Sequence, residues 1–168
     1  MPKIIIRKPK IEDLDSMCEM INSLVDEKTM ISVQEKQTKS SERKFLKNLL
    51  KQIDLKENIT NIIDLDGKVV GICSIYPCSF LQKHIGEVGI FLKKEVRGMG
   101  LGKKIFLQTI EEGKKAFKLK IIKLLVFSKN KIAIRMYKSI GFKKLGIIKG
   151  GAMYYGNFED DMIMLKYL

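Results

Sequence analysis

The chain has 168 residues, 45% of them hydrophobic, with 32 Lys and Arg against 19 Asp and Glu, a net charge of +13 and a single histidine. That length fits one well-covered core and a single domain over 1–168. Three cysteines, odd in number and without paired ligand spacing, leave no metal site and point to a reducing cytoplasm, and with no apolar run near the ~18 residues that span a bilayer the chain reads as soluble, off the membrane and without an export signal.

Residues 3–8 predict a short strand. Beyond Pro9, Ile11, Leu14, Cys18, Ile21 and Val25 recur at steps of three and four behind Glu12 and Asp13, which predicts an amphipathic helix. The pattern lapses over 29–39, a loop of the kind that touches substrates. It resumes as a helix in "SSERKFLKNLLKQI", with Ser40 or Ser41 as N-cap. "NITNIIDL", the turn Asp66-Gly67 and "KVVGICSIY" read as a hairpin ended by Pro77. A further strand, "HIGEVGIFLKK", runs into "EVRGMGLG", after which "LGKKIFLQTIEEGKKAF" puts Phe106, Ile110, Gly113 and Phe117 on one helical face. The remainder alternates: strand "KIIKLLVF", helix "NKIAIRMYKSI" opened by Asn130 and ended at Gly141, then strands "FKKLGIIKG" and "DDMIMLKYL".

Alternating glycines before a helix expose main-chain N–H groups at the positive end of the helix dipole, a setting for phosphate, and Arg97 and Lys103 add formal charge. Spacing separates the known phosphate loops. The Walker A pattern needs four residues between its glycines and Ser or Thr after Lys, whereas three separate Gly98 from Gly102 and Lys104 follows Lys103. A dinucleotide fingerprint counted from Gly98 meets Lys103 where its third glycine belongs.

Arg97-Gly98-Met99-Gly100-Leu101-Gly102 resembles the acyl-coenzyme A pyrophosphate loop of the GNAT superfamily of N-acetyltransferases, R/Q-x-x-G-x-G/A after a central strand. The family's second motif, an Asn opening a helix that carries A-x-x-x-Y and ends in G-F, is matched by Asn130, Ala133, Tyr137, Gly141 and Phe142; the element order and the closing "YYGNFEDDMIML" are similar as well. The resemblance implies a single α+β domain with a mixed, twisted central sheet of six or seven strands flanked by four helices, splayed beside the glycine loop. It implies acetyl-CoA as co-substrate, its pyrophosphate on N–H groups from Arg97 to Gly102 and its pantetheine paired with the backbone of Phe91 and Leu92. Lys103, with Arg135 or Lys138, would meet remaining phosphate charge, and a backbone N–H near Leu92 would hold the oxyanion. Dimers are common in the family, but no interface is legible here.

The implied reaction poses two proton problems. An alkylamine of pKa ~10.4 is only about 0.04% neutral at pH 7, which costs roughly 4.6 kcal/mol, so a base is useful. The departing thiolate needs a proton, and Tyr137 stands where the family places that general acid. For the base, Glu87 and His84 are both candidates. Strand alternation puts His84, Gly86, Val88, Ile90 and Leu92 on one face and Glu87 with Phe91 on the other, and a bulge, common in this strand of the family, reverses faces. One histidine and no nucleophile-elbow serine give no triad, Cys73 and Cys78 read as core and strand-end residues, and direct transfer in a ternary complex fits better than an acyl-enzyme.

For the acceptor, the family's specificity elements fall on residues 20–45 and 147–158, where Glu35, Tyr154, Tyr155 and the adjacent Glu159 are candidates to receive a cationic amine. A small-molecule amine or a peptide or protein N-terminus is expected. Two alternatives stay open: an inactive coenzyme A-binding sensor and a basic nucleic-acid-binding module. The spread of lysines and the absence of an aromatic RNA-binding signature, zinc finger or helix-turn-helix argue against specific nucleic-acid binding.

Overall fold

In the computed structural model, which describes residues 2–168, seven strands form one sheet: β1 (Ile4–Arg7), β2 (Ile59–Leu65), β3 (Lys68–Pro77), β4 (Ile85–Leu92), β5 (Ile121–Phe127), β6 (Lys143–Tyr154) and β7 (Asn157–Tyr167). The spatial order is β1-β2-β3-β4-β5-β7-β6, with β4 and β5 parallel and all other neighbours antiparallel. Four helices cover it, α1 (Leu14–Asp26), α2 (Lys39–Asp54), α3 (Leu101–Phe117) and α4 (Lys131–Ser139). The expected mixed α+β sheet is therefore present, with the higher of the two strand counts.

Strand alternation sorts the core into two layers. Ile62, Val69 and Ile72 face α1 and α2, packing with Met17, Met20, Leu46 and Leu49; their neighbours Ile63, Val70 and Cys73 face the opposite layer with Ile105, Phe106 and Tyr137. Each fully buried Leu, Ile or Phe contributes about 1.5–3 kcal/mol. Phe106 and Ile105 of α3 are both 0% exposed against Ile75 and Ile122, also 0%, so the start of α3 is held on a rigid frame.

Three local features differ from expectation. Thr38, not Ser40 or Ser41, caps α2, its hydroxyl accepting from Ser41 N–H at 3.1 Å; both serines lie inside the first turn. Residues Ile11–Asp13 form a 3-10 turn ahead of α1. The last two strands run further than expected, to Tyr154 and back from Asn157, because Tyr155 (φ 46°) and Gly156 (φ 78°) supply the two consecutive left-handed residues of a tight hairpin turn. The Gly150-Gly151 pair, within an irregular stretch of the β6–β7 ladder, hides this continuation in the sequence.

Candidate functional site

The sheet opens between β4 and β5. They pair only at Ile85–Glu87 with Ile121–Lys123 and then diverge, leaving a slot between Val88–Leu92 and Leu124–Phe127. Which backbone groups face it follows from the ladders. Cys78 N–H donates to Ile85 O at 2.8 Å and Lys93 N–H to Val70 O at 2.9 Å, in a β3–β4 register regular from Gly71↔Leu92 to Pro77↔Gly86. Antiparallel alternation therefore turns the backbone of Glu87, Gly89 and Phe91 toward β3 and that of Val88, Ile90 and Leu92 toward the slot. Pro77, without an N–H, sits at a non-bonded pair, as it must. No bulge reverses the faces, so the side-chain assignment by simple alternation holds.

This corrects one expectation. Phe91's N–H and C=O are committed to Ile72, and its side chain packs toward α1. The backbone turned toward the slot is that of Val88, Ile90 and Leu92, and Leu92 O already accepts Arg97 Nε at 3.0 Å. On the other wall, Ser128 N–H donates to Asp160 O at 2.8 Å, which turns the even residues of β5 to β7 and leaves Leu125 and Phe127 facing the slot. Among the described residues, Ser128 Oγ at the end of β5 is buried without a hydrogen-bond partner.

At the mouth, Gly98 (φ 78°) and Gly100 (φ 75°) adopt left-handed backbone, and a Cβ on either would meet nothing within 4 Å. Gly100 is the N-cap of α3 and offers no side chain to the first-turn N–H groups; the first intrahelical acceptor is Gly100 O, which takes Lys104 N–H at 3.1 Å. Donors at Leu101, Gly102 and Lys103 thus remain for an anion. Gly102 serves a different end, since a Cβ there would stand 2.7 Å from Leu92 Cδ1; its absence seats α3 on β4. Arg97 differs from expectation: its N–H is taken by Lys94 O at 3.1 Å and its guanidinium pairs with Glu27 at 2.9 Å, so it ties the loop to α1. Met99, Lys103, Arg135 and Lys138 are exposed around the same end.

Asn130 caps α4, its Oδ1 accepting from Ala133 N–H at 3.1 Å. One turn on, Tyr137 is 7% exposed between Phe106 (ring centroids 5.2 Å apart) and Phe142 (6.0 Å). Burial, with a smaller contribution from Cys73, holds its hydroxyl well above the ordinary tyrosine range. Glu87 stands at the crotch of the slot, in the last parallel pair, with Lys123 Nζ at 3.0 Å from its Oε2 and Tyr76 directly across the ladder. The Glu87 carboxylate raises the Lys123 ammonium above its usual value. His84 is exposed at the closed end, its carbonyl accepting from Lys120 and Ile121 N–H, and is not brought to the slot. Cys73 is buried and its thiol is pushed up to about 12 by burial, which removes it as a nucleophile.

The 27–38 loop and the β6–β7 hairpin are locked together. Tyr154 Oη donates to Lys28 O and Thr29 O, Tyr155 N–H to Gln34 Oε1 at 2.7 Å, and Gln34 Nε2 to Met153 O at 2.8 Å. Tyr154 also packs on Phe127, 5.2 Å between centroids. Both tyrosine hydroxyls are thus committed to backbone carbonyls of α1 and the loop, Glu159 is paired with Lys129 at 2.7 Å, and Glu35 is exposed. Sequence reading missed Gln34 and Lys123, because their partners are distant in the chain and no spacing signals them.

The sheet is thus mixed, splayed at its parallel pair and faced there by an uncapped, glycine-rich helix start. The profile of the Acetyltransferase (GNAT) family matches residues 19–142, and the chain belongs to that family. It is 31% identical over 94 residues to an uncharacterized N-acetyltransferase of Methanocaldococcus jannaschii, covering 53% of this chain and 41% of that one. It is 33% identical over 78 residues to a protein of Bacillus subtilis subsp. natto named probable spermine N(1)-acetyltransferase, covering 46% of each. The chain spans less than half the length of these two curated relatives. Among solved structures, a GNAT-family acetyltransferase from Streptococcus pneumoniae superposes with a TM-score of 0.85 at 26% identity, over 99% of this chain and 100% of that one.

Proposed function

We propose that the chain is an acetyl-CoA-dependent N-acetyltransferase that passes an acetyl group directly to a primary amine in a ternary complex. The observation that carries this is the conjunction of slot and loop: the slot-facing backbone of β4 beyond its last pair with β5 ends beside the uncapped N–H groups of α3. Gly98 and Gly100, with open space where a Cβ would be, fit a pyrophosphate in van der Waals contact with the main chain, and the slot fits the amide-bearing arm. When bound, acetyl-CoA supplies the activated acetyl thioester.

The chain's own groups then divide the work. N–H groups on β4 face the slot and are oriented to hold the carbonyl oxygen as negative charge grows on it. Glu87, at the crotch, accepts the proton of the incoming ammonium directly or through a water, while Lys123, 3.0 Å away, holds the carboxylate in place. Tyr137 carries its proton at every working pH and donates to the departing sulfur, and the acceptor nitrogen sheds its second proton as the amide forms, which, passed through solvent, restores the phenol. Its raised pKa opposes full transfer by 1.36 kcal/mol per unit, but burial of the thiolate raises that group too, which narrows the gap. The acceptor is a small-molecule amine or a peptide N-terminus. Three free thiols accord with a cytoplasmic location, and no helix among the described residues is long and apolar enough to cross a membrane.

A thermal-shift series with acetyl-CoA, ATP, NADH and a short DNA duplex tests the reading. Acetyl-CoA at ~100 times its Kd adds about 2.7 kcal/mol and is expected to raise Tm by roughly 5–10 °C, with no comparable rise for the others. Gly100→Glu, which forces a side chain and a negative charge into the left-handed cap, is expected to abolish that rise. A rise with DNA or ATP alone overturns the proposal. Tyr137→Phe keeps the ring contacts and is expected to leave the acetyl-CoA shift intact while lowering kcat about 100-fold; an unchanged kcat removes Tyr137 from the chemistry.

A further inference from the structure

On the face covered by α1 and α2 lies a second concavity, a pocket of about 500 Å³ between the second half of α2 and the adjoining ends of β2 and β3. Phe45, Gln52, Glu57, Asn58, Ser74 and Tyr76 contribute to its walls. In a chain with 32 Lys and Arg, none of these cations lines it, among the described residues. Its one charged group is Glu57, which makes no ion pair with a described residue.

Wall residues of the pocket pair with β4. Tyr76 stands directly opposite Glu87, and Ser74 directly opposite Gly89. Thr60 fixes the floor, bonding Ser74 Oγ at 2.7 Å and donating to Asn58 Oδ1 at 2.6 Å. Along this face β4 presents Glu87, Gly89 and Phe91, and Phe91 is packed against α1. Gly89 is the gap between them: it is exposed, and a Cβ there would meet nothing within 4 Å. Neither a turn, a positive φ nor a packing contact requires glycine at this position, which leaves passage of a ligand as its use.

Resting on the acetyl-CoA reading above, we infer that this pocket is the acceptor site and that it takes an alkylamine with a second positive charge. The reacting amine lies over Gly89 at Glu87, and the distal ammonium lies between the Glu57 carboxylate and the ring faces of Phe45 and Tyr76. From β2 to β4 is two strand spacings, about 10 Å, a span suited to an alkyl chain of several methylenes. On the other side, the 27–38 loop is tied to the β6–β7 hairpin through Tyr154 and Tyr155.

The test uses the full chain with acetyl-CoA and follows thiol release with cadaverine, pentylamine and an alanine-initiated peptide as acceptors. Cadaverine is expected to show a KM about tenfold below pentylamine and to be preferred to the peptide. Gly89→Leu is expected to raise the cadaverine KM tenfold or more with the acetyl-CoA thermal shift unchanged, and Glu57→Gln, at an exposed position, to close the gap between cadaverine and pentylamine. Loss of the acetyl-CoA shift in the unmodified chain sinks the coenzyme reading and this one with it. A normal shift with equal KM values for diamine and monoamine, with preference for the peptide, with no transfer to cadaverine, or with both variants indistinguishable from the parent overturns the pocket assignment alone.

Discussion

Glu87→Gln is expected to lower kcat/KM for an alkylamine about 100- to 10,000-fold at pH 7, the range over which a positioned base contributes, and to leave acetyl-CoA binding intact. The amide is isosteric and keeps a hydrogen-bond acceptor for Lys123, 3.0 Å away in the parent, so the fold at the crotch is preserved while the proton acceptor is lost. The pH profile separates a base from a merely structural carboxylate. Without Glu87, transfer depends on amine that arrives neutral, about 0.04% at pH 7 and about half near pH 10.4. The deficit of the variant should therefore shrink steadily as pH rises from 7 to 10. A deficit constant across that range would make Glu87 a positioning residue, and no deficit would leave proton removal to water.

The glycine loop and the Asn130–Tyr137 helix were legible in the sequence because their function lies in local backbone: a left-handed Gly100, an uncapped helix start and a side-chain cap are each set by residues within a few positions. The strands and helices themselves were legible through hydrophobic periodicity, though their order in the sheet was not. The direction of backbone groups on β4 was not, since it depends on register counted from the far end of the hairpin, where Cys78 and Ile85 bond. That is why Phe91 was expected to face the slot and Ile90 was passed over. The Glu87–Lys123 pair arises across a parallel ladder, and the lock of Gln34 on Tyr155 joins a loop to a hairpin near the other end of the chain. Neither leaves a spacing to read. The same holds for the pocket beside Gly89, whose wall residues come from α2 and from the strand and loop segments it overlies.

Arg7→Met is expected to destabilise the fold by about 3–5 kcal/mol at pH 7, the usual result of stripping one partner from a buried charge cluster. Arg7 reaches three carboxylate oxygens, Asp64 Oδ2 at 2.8 Å and Asp13 Oδ2 and Oδ1 at 2.8 and 2.7 Å, and so joins β1, β2 and the turn that seats α1. Asp13 has 3% of its side chain exposed. Burial alone would raise its carboxyl, but the Arg7 bond, with Lys10 N–H, brings it below the ordinary value. A depressed carboxylate contributes stability that is full above its unfolded value of ~3.9 and is lost as pH falls through the folded value. Removing Arg7 leaves burial as the leading influence, so the sign reverses: the variant's carboxyl rises above ~3.9, and the stability gap between variant and parent should narrow as pH falls from 7 toward 4. Urea midpoints across that window give the comparison, and a variant curve parallel to the parent's would mean that Asp13 finds another cation. The consequence reaches the site, because α1, seated by Asp13 at one end, carries Glu27 at the other, where it holds Arg97 and with it the glycine loop.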